Sequence, residues 1–238
     1  MHPKVKFKID YKKDIKTLQA FTADAAFDDG RNLLWAVFKH YSQLKKYFSD
    51  NKISNNDALV KFIKKQYFIN SELMNKNLKI FATNWKKIEP NFFNLINDLF
   101  GDFSWPKGEY TAYFTIWSMY PRFLEDKTFQ VPYKFRSRKY INVIIAHEML
   151  HFIFYEYFYS LFKKYRPEKY NFFVWNVSEI FNVIVQNSPS WLKVFGVPTM
   201  SYPEHDKIVK KINKSFVLNG KEDIKDLILK IVEEVQKM

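Results

Sequence analysis

Val143-Ile144-Ile145-Ala146-His147-Glu148-Met149-Leu150-His151-Phe152-Ile153-Phe154 is the stretch on which the reading of this chain turns. From Asn142 to Tyr155 there is no Pro or Gly, and Glu148 is the only charged residue. A surface helix carries charge along its outer face, so this run predicts a helix buried on most sides. Residues four apart on a helix share a face, about 40° apart in angle and roughly 6 Å along the axis. His147 and His151 are therefore neighbours. Burying two imidazoles and a carboxylate without partners is expensive. One zinc ion satisfies both rings, because zinc accepts nitrogen at about 2.0–2.1 Å in a tetrahedral shell.

Glu148 sits one residue past the first histidine, beside such an ion rather than on it. There it is placed to take a proton from an activated water and return it to a leaving group. A third protein ligand is needed, with the fourth position left to water. The chain contains no Cys, so the ligand must be His or a carboxylate. Glu156, five residues past His151, points away from the shared face. Glu168 falls in the basic, Pro-containing loop Lys163-Lys164-Tyr165-Arg166-Pro167-Glu168. Glu179 lies 28 residues beyond His151, in the apolar run Phe173-Val174-Trp175-Asn176-Val177-Ser178-Glu179-Ile180-Phe181-Asn182-Val183-Ile184-Val185. That spacing suits a loop and a return helix. A lone carboxylate in so apolar a helix needs a partner, either a basic residue or the metal.

His147, Glu148 and His151 on one helix, with Glu179 on the next, resemble the gluzincins, the thermolysin-like branch of HExxH zinc metallopeptidases. The resemblance covers roughly residues 110–186. A metzincin would place Gly and His where this chain has Phe154 and Tyr157. The resemblance implies a zincin-like α+β fold, mostly helical, with a small mixed or antiparallel sheet packed on the active-site helix. It implies Zn2+ on His147, His151 and Glu179, Glu148 as general base, and a peptide or protein substrate. In that group the glutamate helix often carries an Asp one turn later that holds a ligand imidazole; Asn182 is the counterpart here. A further electrophile usually supports the oxyanion, with His205, Tyr202 and Tyr155 as candidates.

The remaining segments read as one zincin-like domain over 1–238. Residues 1–105 supply a strand and helices, 106–187 the catalytic strands and helices, and 188–238 a helical tail. Val5, Phe7, Ile9 and Tyr11 alternate with charged residues. Tyr110, Ala112, Phe114 and Ile116 form a second period-two set, and Phe129, Val131, Tyr133 and Phe135 a third. Each predicts a half-buried strand. Pro132 points to an edge strand, so Thr128–Tyr133 is a candidate platform for substrate bound by strand addition, with a turn at Arg136-Ser137-Arg138 leading to the histidine helix. Leu34, Val37, Phe38, Tyr41 and Phe48 follow helical spacing, as do Phe92, Leu95, Ile96 and Leu99. Asn55-Asn56-Asp57 and Asn70-Ser71 divide that stretch. Pro189 ends the Glu179 helix, and Ile224, Leu227, Ile228, Ile231, Val232 and Val235 line a last one.

The chain has 238 residues, 38 Lys and Arg against 25 Asp and Glu, and a formal net charge of +13. The lysines are scattered, often as pairs on helix faces, which reads as solvation rather than a nucleic-acid surface. No signal peptide and no run long enough to span a membrane is visible. With no Cys, this predicts a cytoplasmic location. The leading expectation is a zinc metallopeptidase. The alternative is a non-catalytic or basic nucleic-acid-associated protein with a structural or vestigial zinc site. An intact Glu148 favours the first, since a structural site has no use for it.

Overall fold

The computed structural model describes residues 2–22, 34, 37–38, 41–49, 52–53, 56–135, 137–166, 171–215 and 224–238. Asn55, Arg136, Pro167 and Glu168, all read as turn or loop positions, lie outside these. The described chain is mostly helical with a small mixed sheet, as the α+β reading expects. It divides into two compact units, each discontinuous in sequence. One comprises Val5–Ala82 and Tyr110–Phe135; the other comprises Met1–Lys4, Thr83–Glu109 and Arg136–Met238.

The first unit holds strands β1 (Val5–Ile9), β4 (Tyr110–Thr115), β5 (Arg122–Phe123) and β6 (Thr128–Pro132), in the order β1-β4-β6-β5. β1, β4 and β6 are parallel, and β5 is antiparallel to β6. β1 alternates half-buried Val5, Phe7 and Ile9 with exposed Lys6 and Lys8, as its period-two pattern predicts. Tyr11 leaves the strand to open helix α1 (Tyr11–Thr22). β4 and β6 differ from the half-buried expectation, because both are internal strands and nearly every residue is buried.

Pro132 therefore does not mark an edge. The Tyr133 N–H donates to Thr115 on the β4 side, whereas the Gln130 N–H donates to Pro121 on the other. Pro132 shares the parity of Gln130, so its missing N–H would face the β5 side. There the β5 ladder pairs only with Thr128 and Phe129. The proline costs no ladder bond at the end of an internal strand. Over Thr128–Gln130 the main chain is engaged on both sides, which removes this stretch as a platform for an added strand.

Helices α2 (Asn56–Ile69) and α3 (Ser71–Phe100) are divided at Asn70, as its turn chemistry predicts. Phe48 is not helical: β2 (Phe48–Ser49) and β3 (Lys52–Ile53) form a short hairpin after a 3-10 segment, Ser42–Tyr47. Leu59, Ile63 and Tyr67 are the buried stripe of α2.

A buried polar cluster ties α1, α2, β4 and β6 together. Asp14 accepts from the Tyr67 hydroxyl (2.8 Å), the Ile116 N–H (2.9 Å) and Gln130 Nε2 (2.6 Å), and Thr17 Oγ1 donates to Gln130 Oε1 (2.8 Å). Burial pushes the Asp14 carboxyl up to about 6, against the lowering effect of these donors and of Thr115.

The second unit contains the Thr83–Phe100 part of α3, then α4 (Arg138–Leu161), α5 (Phe172–Gln186), α6 (Pro189–Phe195), α7 (Asp206–Ser215) and α8 (Ile224–Val235). Its core is aromatic. Phe92 meets Trp191 at 5.8 Å between ring centroids, Phe100 meets Tyr157 at 5.4 Å, and Phe154 meets Phe181 at 4.8 Å. Pro189 is the first residue of α6, where a missing N–H costs nothing. The α8 stripe of Ile224, Leu227, Ile228, Ile231, Val232 and Val235 is buried, as its spacing predicts.

Candidate metal centre

α4 is the helix expected from the apolar run, and α5 is the return helix that carries Glu179. The cross-links descend one helix as they climb the other. Tyr155 meets Ser178, His151 meets Glu179, and His147 meets both Asn182 and Gln186. The two helices are therefore antiparallel neighbours. Asn171 caps α5, its side chain accepting from the Val174 N–H at 3.0 Å.

Glu179, Asn182 and Gln186 lie at i, i+3 and i+7, so they form one polar stripe on a largely apolar helix. Glu179 is buried, His151 fully so, and His147 is half-buried. His147 Nε2 lies 3.0 Å from His151 Nε2 and 3.1 Å from Glu179 Oε2, and His151 Nε2 lies 3.4 Å from Glu179 Oε1. Among the described residues these three form the group of His and carboxylate side chains that could hold a metal ion, with all ligand atoms within 4.8 Å of one another.

The donor chemistry fits a cation. Gln186 Oε1 accepts from His147 Nδ1 at 2.8 Å, and a carboxamide oxygen has no proton to give. The assignment of that oxygen is supported by its partner atom: Gln186 Nε2 donates to the Val143 carbonyl at 3.1 Å. His147 Nδ1 therefore carries hydrogen, and in the neutral ring Nε2 is a bare lone pair. That lone pair faces a carboxylate oxygen and a second imidazole nitrogen. A proton, carried by the His151 Nε2 or shared with Glu179, or a metal ion would satisfy that lone pair. Two nitrogens bound tetrahedrally at about 2.05 Å would lie about 3.3 Å apart, close to the separations here. For His147, burial by itself lowers the pKa. The hydrogen bond and charge of Glu179, the charge of Glu148 and the Gln186 contact outweigh it and hold the ring above the ordinary imidazole value.

Compared with models of protein families, with curated proteins and with solved structures, the chain matches none. The site is thus read from its own geometry.

Glu148 is 5% exposed and is not one of the converging ligands, yet its charge is felt at His147. Glu156 is where its helical position puts it, outside the cluster and paired with Arg166 at 3.6 Å. Asn182, expected to hold a ligand imidazole, instead donates to the main-chain carbonyl of His147 at 3.0 Å. The group on the His147 ring is Gln186, which Thr199 Oγ1 also contacts at 3.0 Å. Gln186 lies just past the run quoted for this helix. Its signal was the spacing from Glu179, which puts the only two large polar groups of that stretch besides Asn182 and Asn176 on one face.

His205 is fully buried, at the end of a 3-10 turn (Pro203–His205), with Nε2 2.7 Å from Asn176 Oδ1. Its ring packs against Trp175 and Tyr202, at 5.7 and 5.6 Å. Burial holds its pKa below the ordinary imidazole value, against the charges of Glu204, Glu179 and Asp206. Tyr202 is 46% exposed and packs at a tilt against Trp175, 5.1 Å between ring centroids. Tyr155 is buried, its hydroxyl near Ser178 Oγ. His205, Tyr202 and Tyr155 all lie outside the converging ligand set.

Proposed function

We propose that the chain is a zinc-dependent metallopeptidase of gluzincin type, with zinc held by His147, His151 and Glu179. The observation that carries this reading is the convergence of His147 Nε2, His151 Nε2 and the Glu179 carboxylate beside a buried glutamate that does not join them. A zinc ion held there supplies a Lewis acid that polarises a carbonyl and makes water a usable nucleophile near neutral pH.

The chain's own groups supply the rest. Glu148, adjacent to His147 on α4, accepts the proton of the attacking water and returns it to the departing amine. Gln186 fixes the His147 tautomer through Nδ1, so that Nε2 would be the atom offered to a metal. Asn182 fixes the backbone beneath that ring. A purely structural zinc would be closed by a fourth protein ligand, whereas three ligand residues converge here among those described.

The test is hydrolysis of a mixed peptide library by protein dialysed against trace zinc, with Glu148→Gln beside it. The variant should keep one zinc per chain and lose about 10²–10⁴-fold in turnover. Zinc bound without hydrolysis in the wild type would favour a non-catalytic site. Zinc far below one per chain would end the metal assignment itself.

A further inference from the structure

The turn between α2 and α3 leaves large apolar side chains in water. Phe68 is 82% exposed, Ile69 61% and Leu73 40%. This is not a frayed end. The Asn70 N–H and Nδ2 both donate to the Gln66 carbonyl, the Met74 N–H donates to the Asn70 carbonyl, and the Tyr133 hydroxyl donates to Asn70 Oδ1 at 3.1 Å. The turn is pinned from both helices and from the end of β6, so Phe68 and Ile69 are held outward.

The charge around them is one-sided. Lys61, Lys64, Lys65 and Phe68 fall at i, i+3, i+4 and i+7, one face of α2 opposite the buried Leu59, Ile63 and Tyr67. All three lysines are exposed, as is Lys76 on α3. Lys134, also exposed, sits over the Tyr133 ring at 5.2 Å, and that tyrosine bonds Asn70. Glu72 is the one acidic side chain in the stretch from Lys61 to Lys76.

We propose that this tip docks on an anionic lipid surface, with Phe68 and Ile69 entering the headgroup boundary and Lys61, Lys64, Lys65, Lys76 and Lys134 meeting the lipid phosphates and carboxylates. Protein interfaces favour aromatic residues but are depleted in lysine. An apolar tip ringed by lysines is the pattern of interfacial membrane binding. Long lysine stems let the ammonium groups stay at the polar layer while the tip goes deeper. Among the described residues no helix is long and apolar enough to cross a membrane, so the attachment is peripheral. It is independent of the metal centre.

Sedimentation of the full chain with phosphatidylcholine vesicles, with and without phosphatidylserine, tests this. Binding should require phosphatidylserine and weaken with salt. Phe68→Ser with Ile69→Ser should reduce partition about tenfold or more, the loss expected for two large apolar side chains. Lys61→Glu with Lys64→Glu should do likewise, while Lys86→Glu with Lys87→Glu, an equal charge change at exposed lysines elsewhere on α3, should have a smaller effect. Glu148→Gln should bind as wild type, which separates this result from any failure of the peptidase reading. Circular dichroism checks that each variant is folded. Absence of binding to phosphatidylserine vesicles would overturn the proposal, as would an unchanged Phe68→Ser/Ile69→Ser variant or a Lys86/Lys87 control that loses as much. A concentration-dependent dimer lost on Phe68→Ser, with no vesicle binding, would assign the tip to a second copy of the chain instead.

Discussion

Gln186 holds His147 from behind, its Oε1 2.8 Å from the ring Nδ1 while its Nε2 donates to the Val143 carbonyl one turn earlier on α4. The carboxamide reads both a ring proton and a carbonyl, so its orientation is locked at both ends. Gln186→Leu should therefore keep α5 apolar and packed but free the His147 tautomer. Zinc affinity should fall about 10–100-fold, the usual cost of losing such a support, as read by competition with a chelating dye. Gln186→Glu keeps an acceptor for the Nδ1–H but cannot donate to Val143, so it should restore part of the affinity that Gln186→Leu loses.

Glu179 is expected to dominate zinc binding. Glu179→Gln preserves shape but replaces an anion with a neutral amide, so zinc affinity should drop steeply while the metal-free fold changes little. Glu179→Ala should in addition lower the melting temperature of the zinc-loaded protein, because metal binding energy is folding energy where the site forms only in the folded state. Calorimetry with and without zinc separates the two effects. Equal zinc affinity in Glu179→Ala and wild type would remove Glu179 from the ligand set.

Zinc affinity should also fall as pH is lowered, with the loss beginning above the ordinary imidazole value of about 6.5. The reason is the raised His147 pKa, which lets a proton compete for Nε2 earlier than at a free histidine. The sign for the metal-free fold is opposite. A raised imidazole pKa gives stability that is full below about 6.5 and is lost as pH rises through the folded value. Zinc titrations at several pH values, beside melting curves of the metal-free protein, check both.

The helical half of this architecture was legible because its signals are local. An apolar run with one charge, Asn70 at a turn, Pro189 as the break after the Glu179 helix and the α8 stripe each settle their own element. The convergence of His147, His151 and Glu179 was legible for the same reason: the two histidines share a helical face, and a carboxylate in an apolar helix demands a partner. What sequence spacing could not carry was strand order. Pro132 reads as an edge signal only if the strand's neighbours are unknown; its position past the last β5 pair makes it compatible with the interior. Phe48 followed helical spacing across a segment that turns into a hairpin. His205, a candidate for oxyanion support on its sequence, is buried beside Asn176, a partner 29 residues away that no local pattern announces.

His205 should behave as a buried neutral imidazole whose Nε2–H donates to Asn176. Its folded pKa lies below the unfolded value, so the folded protein resists protonation and stability declines as pH falls below about 6.5. His205→Phe fills the space between Trp175 and Tyr202 but strands Asn176 Oδ1, at a cost of about 1–3 kcal/mol. Chemical denaturation should show this loss, with a smaller acid sensitivity than wild type. If His205 instead supported an oxyanion, the folded variant would lose about 10²–10³-fold in turnover and the denaturation curve would move little.

Asp14 gives the sharpest pH signature of the sheet unit. Its carboxyl, raised from 3.8 to about 6 by burial, keeps a proton in the folded chain that the unfolded chain has already released. Between about pH 4 and pH 6 the folded state thus binds more protons, and stability falls as pH rises through that window, a span worth about 3 kcal/mol at most. Asp14→Asn acts as a permanently neutral stand-in. Its oxygen can accept from Tyr67 and Ile116, and its amide can meet Gln130 if that side chain flips, with the Thr17 hydroxyl turning to accept. The stability difference between Asp14→Asn and wild type should therefore shift in favour of the variant as pH is raised from 4 to 6, then stay constant. Asp14→Ala has no such remedy: Tyr67 keeps the Phe114 carbonyl as an acceptor at 2.9 Å, but the Ile116 N–H and Gln130 Nε2 donors are orphaned together, so the loss should exceed the ~1–3 kcal/mol of a single buried unsatisfied group. Urea denaturation at pH 4, 5, 6 and 7 measures all three proteins, and a difference that did not change with pH would show that Asp14 carries its charge throughout.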